Sequence, residues 1–85
     1  MKIDEFVKNF SELFEESGNI TFKASTRFRD IEEWSSLIAL SVIAMVDDKY
    51  RIKISGDELR ETQTIGDIFS LVEKKHASFL EGLGK

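Results

Sequence analysis

The stretch Trp34-Ser35-Ser36-Leu37-Ile38-Ala39-Leu40-Ser41-Val42-Ile43-Ala44-Met45-Val46-Asp47-Asp48-Lys49-Tyr50 decides how this chain folds. A serine hydroxyl accepts a hydrogen bond from the free backbone N–H groups of a first helical turn, so Ser35 or Ser36 opens a helix that runs to about Tyr50. Between Leu37 and Val46 the side chains are apolar except for Ser41, and at helical spacing they nearly encircle the axis. A helix apolar on all sides is buried by its neighbours, so the remaining residues must wrap it. With 85 residues in all, the chain makes one domain over residues 1–85, and part of this helix still has to meet water or a partner.

Upstream, Ile3, Phe6, Val7, Phe10, Leu13 and Phe14 recur at spacings of three and four, with Lys2, Asp4, Glu5, Lys8, Glu12, Glu15 and Glu16 between them. This predicts an amphipathic first helix over about residues 2–17, stopped by Ser17-Gly18-Asn19. Residues 18–35 hold no sustained period. Ile20-Thr21-Phe22-Lys23 alternates briefly, but so short a strand has no partner, and a long ordered loop tied down by Phe22, Phe28, Ile31 and Trp34 is expected instead. Loops of that length in small domains tend to be functional or to conceal a misread element.

Downstream, Tyr50-Arg51-Ile52-Lys53-Ile54 reads as a linking segment with Ile52 and Ile54 turned inward, a strand being the alternative. Asp57 to Glu61 fits one short helical turn, its acidic start suited to the positive end of the helix dipole. Thr64-Ile65-Gly66-Asp67 has the form of a capping box, so Thr64 caps a last helix with Ile65, Ile68, Phe69, Val72, Phe79 and Leu80 as its buried stripe. Fraying is expected at Lys75 and His76, and Gly82 and Gly84 close the chain loosely. The sum is an all-α fold of three main helices plus a short third one, with a long loop between helices one and two.

Composition narrows the function. The chain has no cysteine and no proline, one histidine and a net charge of −4. Disulfide frameworks, thiolate nucleophiles, cysteine zinc sites and histidine pairs are excluded together. The acidity argues against nucleic acid, which wants a clustered basic face. No stretch approaches the roughly 20 apolar residues of a membrane span. Charges scattered through Met1 to Phe14 leave no signal-peptide core, so the cytoplasm is the expected location. The neighbouring carboxylates Glu15/Glu16, Glu32/Glu33 and Asp47/Asp48 diverge by about 100° on a helix and read as solvated surface. His76 reads as a surface residue near a helix C-terminus. No catalytic or metal residue is expected. What remains is Ser35-Ser36 at a helix N-terminus, where N–H groups and the dipole favour an anion, including a phosphodiester on the serine, with a plain serine cap as the other reading.

From Phe28 to Val72, and more loosely over nearly the whole chain, the sequence resembles the acyl or peptidyl carrier protein family. Phe28 to Trp34 resembles that family's loop into its attachment motif, Ser36-Leu37 the end of its Asp-Ser-Leu signature, and Val46 to Ile54 its apolar, acidic and aromatic run ending in Ile-x-Ile. Asp57-Glu58-Leu59 and Thr64-Ile65-Gly66-Asp67-Ile68 are similar to the starts of its third and fourth helices. The resemblance implies a four-helix acyl-carrier bundle whose Ser36 Oγ holds 4′-phosphopantetheine, transferred from coenzyme A by a Mg²⁺-dependent phosphopantetheinyl transferase. Ser35 is the alternative attachment site. It implies a non-catalytic carrier of acyl or aminoacyl thioesters, served by a loading ligase and downstream synthase enzymes of fatty-acid, polyketide or nonribosomal peptide type; a monomer is expected, with self-association through the apolar face as the alternative. The working thiol then belongs to the arm, which accounts for a chain without cysteine.

Two departures from the family pattern matter. Ser35 stands where the family has Asp, which keeps open a second reading: an unmodified interaction module that retained the fold. The helix-two surface the family presents to partners, normally rich in carboxylates, reads Leu37, Ile38, Ser41, Ala44, Met45 and Asp48. Docking by apolar contact more than by charge is expected, unless the long loop covers Ile38 and Met45. Trp34 before the serines is closer to specialised and peptidyl carriers than to the fatty-acid form.

Overall fold

A computed structural model of the chain describes residues 2–15 and 21–83, the side chains of residues 78–83 excepted. Among the described residues four helices follow in order, α1 (Ile3–Ser11), α2 (Ser36–Tyr50), α3 (Gly56–Arg60) and α4 (Ile65–Leu83), with a 3₁₀ turn at Phe28–Asp30. No strand forms among the described residues beyond one isolated antiparallel bridge between Arg27 and Thr64. The helix order, the short third helix and the absence of strand pairing at Tyr50 to Ile54 agree with the sequence reading, and Ile52 and Ile54 are buried as expected.

Helix α1 ends at Ser11, earlier than its apolar period suggests. The chain tightens there: Leu13 N–H donates to Phe10 O and Phe14 N–H to Ser11 O, both at 3.1 Å. This three-residue spacing swings Phe14 beneath the core, with its ring 5.4 Å from Phe10 and 5.3 Å from Phe22. Aromatic burial therefore wins over continuation of the helix. The expected stop at Ser17-Gly18-Asn19 and the strand-like Ile20 lie outside the described residues.

The loop is ordered by α4. The first N–H groups of a helix have no partner inside it, and here Ile65 N–H donates to Thr26 O at 3.1 Å and Gly66 N–H to Ala24 O at 2.8 Å. Thr64 Oγ1 accepts from Asp67 N–H at 3.1 Å, and Asp67 Oδ2 accepts in return from Thr64 N–H at 3.1 Å and Gln63 N–H at 3.0 Å. The expected capping box is thus present. A second box, at Ser55 and Glu58, starts α3.

Phe6, Phe10 and Phe28 are fully buried with Val42, Val46, Ile65, Ile68 and Val72. Helix α1 packs on both α2 and α4, and α3 packs on α2. Asn9 Nδ2 donates to the Tyr50 hydroxyl at 3.0 Å, fixing the end of α2 against α1. The expected fraying at Lys75 and His76 does not occur. Helix α4 runs unbroken through Gly82 to Leu83, because Lys75 reaches α3, 2.8 Å from Glu58 Oε2, and donates to Lys53 O at 3.1 Å. The side chains of Phe79 and Leu80, and Gly84 as a whole, lie outside what is described.

Candidate functional site

Ser35 is the N-cap of α2: its backbone is extended and its Oγ accepts from Ile38 N–H at 3.3 Å. Ser36 is the first residue of the helix itself, exposed, and among the described residues no hydrogen bond engages its Oγ. Sequence left the two serines as alternatives for opening the helix. The structure separates their roles, since one hydroxyl closes the helix end and the other is free above it.

Beside Ser36 an open hollow of about 560 Å³ runs between α2 and α3. Ala39, Leu40 and Ile43 form one wall, Gly56 and Leu59 the other, and Trp34 also lines it. Trp34 is held by aromatic contacts, its ring tilted against Phe28 at 4.7 Å and near-parallel to Phe10 at 6.5 Å. The charged side chains lining this hollow, Arg29 and Arg60, are both cationic. A second hollow of about 570 Å³ lies between α1 and the loop, but its serine, Ser11, has its hydroxyl donated to Lys8 O at 2.7 Å.

These features fit a phosphodiester on Ser36. An anion there would meet the N-terminal N–H groups of α2 and the positive end of the helix dipole, with the neutral Ser35 in the cap position. The carbon chain beyond it would find an apolar groove. No group of residues able to hold a metal ion is present among the described residues, and none of their helices is long and apolar enough to cross a membrane.

The surface singled out on α2 is only partly available. Leu37 is 72% exposed, Ala44 and Asp48 are exposed, and Ile38 and Ser41 are half-buried. Met45 is the correction: it belongs to the core, because the face of α2 that carries Val42 and Val46 turns it inward. Leu40, 63% exposed, takes its place in the surface and was overlooked. The spacing of three from Leu37 was the available signal, obscured by a helix that is apolar on every side. Arg29 was overlooked too, and nothing local in the sequence marks it.

Two carboxyl groups in the first turns of α3 and α4 titrate lower than usual. Glu58 is lowered first by the Lys75 ammonium and then by the Ser55 N–H. Asp67 is lowered by the N–H groups of Gln63 and Thr64. Both shifts come from hydrogen bonds to the ionised form.

No protein-family model and no curated protein matches the chain. Among solved structures it is similar to the solution structure of a holo acyl carrier protein from Geobacter metallireducens, at 32% identity and a TM-score of 0.75, covering 93% of this chain and 90% of that one.

Proposed function

This chain belongs to the acyl carrier protein family, and from that premise we propose that Ser36 carries 4′-phosphopantetheine and that the protein ferries acyl or aminoacyl groups between enzymes. The observation that carries this is the contrast between the serines: Ser35 Oγ is committed to Ile38 N–H, whereas Ser36 Oγ is exposed and unbonded at the helix start. A phosphopantetheinyl transferase with its Mg²⁺ would present coenzyme A to that hydroxyl. Ser36 Oγ attacks the pyrophosphate, a new phosphodiester bond forms to the pantetheine-bearing phosphorus, and the P–O–P bridge breaks. Adenosine bisphosphate leaves and the hydroxyl proton passes to the transferase.

When bound, the arm supplies the thiol on which cargo rides as a thioester. The chain's own residues do the rest. The first turn of α2 holds the phosphate, the walls of the hollow shield an acyl chain from water, and tethering raises the concentration of cargo at each partner. Catalysis stays with the partners: a loading ligase and synthase-type enzymes. Trp34 ahead of the serines favours a carrier of specialised metabolism, acting as a cytoplasmic monomer.

Partners would dock on the exposed strip Leu37, Leu40 and Ala44, flanked by Ile38, Ser41 and Asp48. The same exposure also supports the second reading, an unmodified interaction module. Incubation with coenzyme A and a broad-specificity transferase, followed by intact mass, decides between them. A gain of one phosphopantetheine in the native chain and in Ser35→Ala, with none in Ser36→Ala, is expected. An unchanged mass, with another carrier modified in the same tube, would defeat the carrier reading.

A further inference from the structure

Helix α3, which forms one wall of the hollow, cannot stand alone. It has five residues, far fewer than an isolated helix needs, and only Leu59 of these is buried. Its first turn is fixed by the Ser55–Glu58 box and by Lys75. Its C-terminal carbonyls are the groups a helix end leaves without partners, and a single side chain collects them. Arg29 Nη1 donates to Thr62 O at 2.5 Å, while Nη2 donates to Arg60 O at 3.1 Å and to Leu59 O at 3.3 Å. Leu59 O also accepts from Thr62 N–H and Oγ1, so the carbonyls of Arg60 and Thr62 depend most on the guanidinium.

Arg29 comes from the long loop, not from a neighbouring helix. Its Cζ lies 4.8 Å from the ring centroid of Phe28, which is fully buried, so the fork rests on a fixed base. The guanidinium also borders the hollow beside Leu59 and Arg60. It therefore bridges the segment leading into Ser36 and the wall facing it.

We propose that Arg29 determines cargo specificity: by latching α3 to the loop it limits how far that wall can retreat from α2, and so limits the length of acyl chain the hollow accepts. The proposal rests on the carrier reading. A chain too long for the hollow must push α3 outward, and each increment of movement lengthens hydrogen bonds that converge on one planar fork. Lysine cannot replace it fully, because one ammonium does not span the three carbonyls.

The test uses the full chain with Arg29→Met, which keeps an apolar stem over Phe28, and with Arg29→Lys. In unloaded Arg29→Met, amide exchange at Glu61 and Thr62 should accelerate about tenfold, the scale expected for losing hydrogen bonds to a charged donor, while Phe10 in α1 keeps its native rate. Each protein is then loaded with butyryl, octanoyl or dodecanoyl coenzyme A, loading is checked by mass, and thermal midpoints are compared. The chain length giving the greatest stabilisation should be longer in Arg29→Met than in the native protein, with Arg29→Lys between. Unchanged exchange at Glu61 and Thr62, or equal acceleration at Phe10, overturns the latch. An unchanged length optimum in fully loaded Arg29→Met overturns the specificity role. If neither native nor variant protein gains mass, the carrier reading fails and the cargo claim with it. The exchange measurement, made without the arm, still reports on the latch separately.

Discussion

Gly66 and Arg51 show single residues set by backbone geometry in opposite senses. A Cβ added at Gly66 would lie 3.0 Å from Ala24 O and 3.4 Å from Ala24 Cβ, against the carbonyl that Gly66 N–H itself binds. Alanine normally gains up to about 1 kcal/mol over glycine inside a helix, but here it must push the loop away from the start of α4. Gly66→Ala should therefore lose about 1 kcal/mol in a denaturant titration, the overpacking and weakened hydrogen bond outweighing propensity. Arg51 ends α2 in the left-handed region, at φ 58°, ψ 35°, a conformation suited to glycine. Arg51→Gly should gain about 0.5 kcal/mol, the relief of strain exceeding glycine's greater freedom when unfolded. The same scale shows what sequence can and cannot convey. Ser36 stands out because a serine before an apolar run has few roles. Sequence reads Met45 as surface and leaves Leu40 off that surface because the apolar ring of α2 carries no periodic contrast to orient it. Arg29 is unreadable locally, since its carbonyl partners lie beyond α2 in sequence and only the fold brings them near.

At the scale of elements, polar boxes define the short pieces that apolar period leaves vague. The box at Thr64 and Asp67 was legible from its spacing, and the start of α4 followed. The early end of α1 was not, because the pattern that predicts a helix also fits the tightened turn that buries Phe14. The continuation of α4 past Lys75 depends on a partner in α3 that no local rule supplies. Glu58 and Asp67 tie these elements to pH. Their folded-state carboxyls titrate below the ordinary range, by Lys75 and Ser55 in one case and by Gln63 and Thr64 N–H groups in the other. The stabilisation is therefore complete above the unfolded carboxylate range, about pH 4 to 4.5, and is lost as pH falls through the lower folded values. Comparison of the native protein with Asp67→Asn and Glu58→Gln should show lower thermal midpoints for the variants near neutrality. The gap should close as the solution becomes acidic, and a gap constant down to strong acid would remove these groups from the account.

For the whole molecule, net charge and contact chemistry part company. The chain carries −4, which alone would suggest steering toward basic partners. Yet the strip next to Ser36 presents Leu37 at 72% and Leu40 at 63% exposure, followed by Ala44, before Asp47 and Asp48 are reached at the far end of α2. Steering by those distant charges affects encounter, whereas the contact itself would be made by leucine side chains. Salt separates the two contributions, because raising ionic strength from 0.1 M to 1 M shortens the screening length from about 10 Å to 3 Å and leaves apolar burial intact. Affinity for the transferase, measured by calorimetry across that range, should fall by less than about tenfold. Replacing Leu37 and Leu40 together with alanine should weaken it by about tenfold or more at either salt concentration, the usual cost of truncating a central apolar anchor. Circular dichroism of the double variant should remain native, since both side chains lie outside the core. A steep loss with salt, together with tolerance of the two alanines, would mean that Asp47, Asp48 and the α3 carboxylates make the contact and that the exposed leucines face cargo instead.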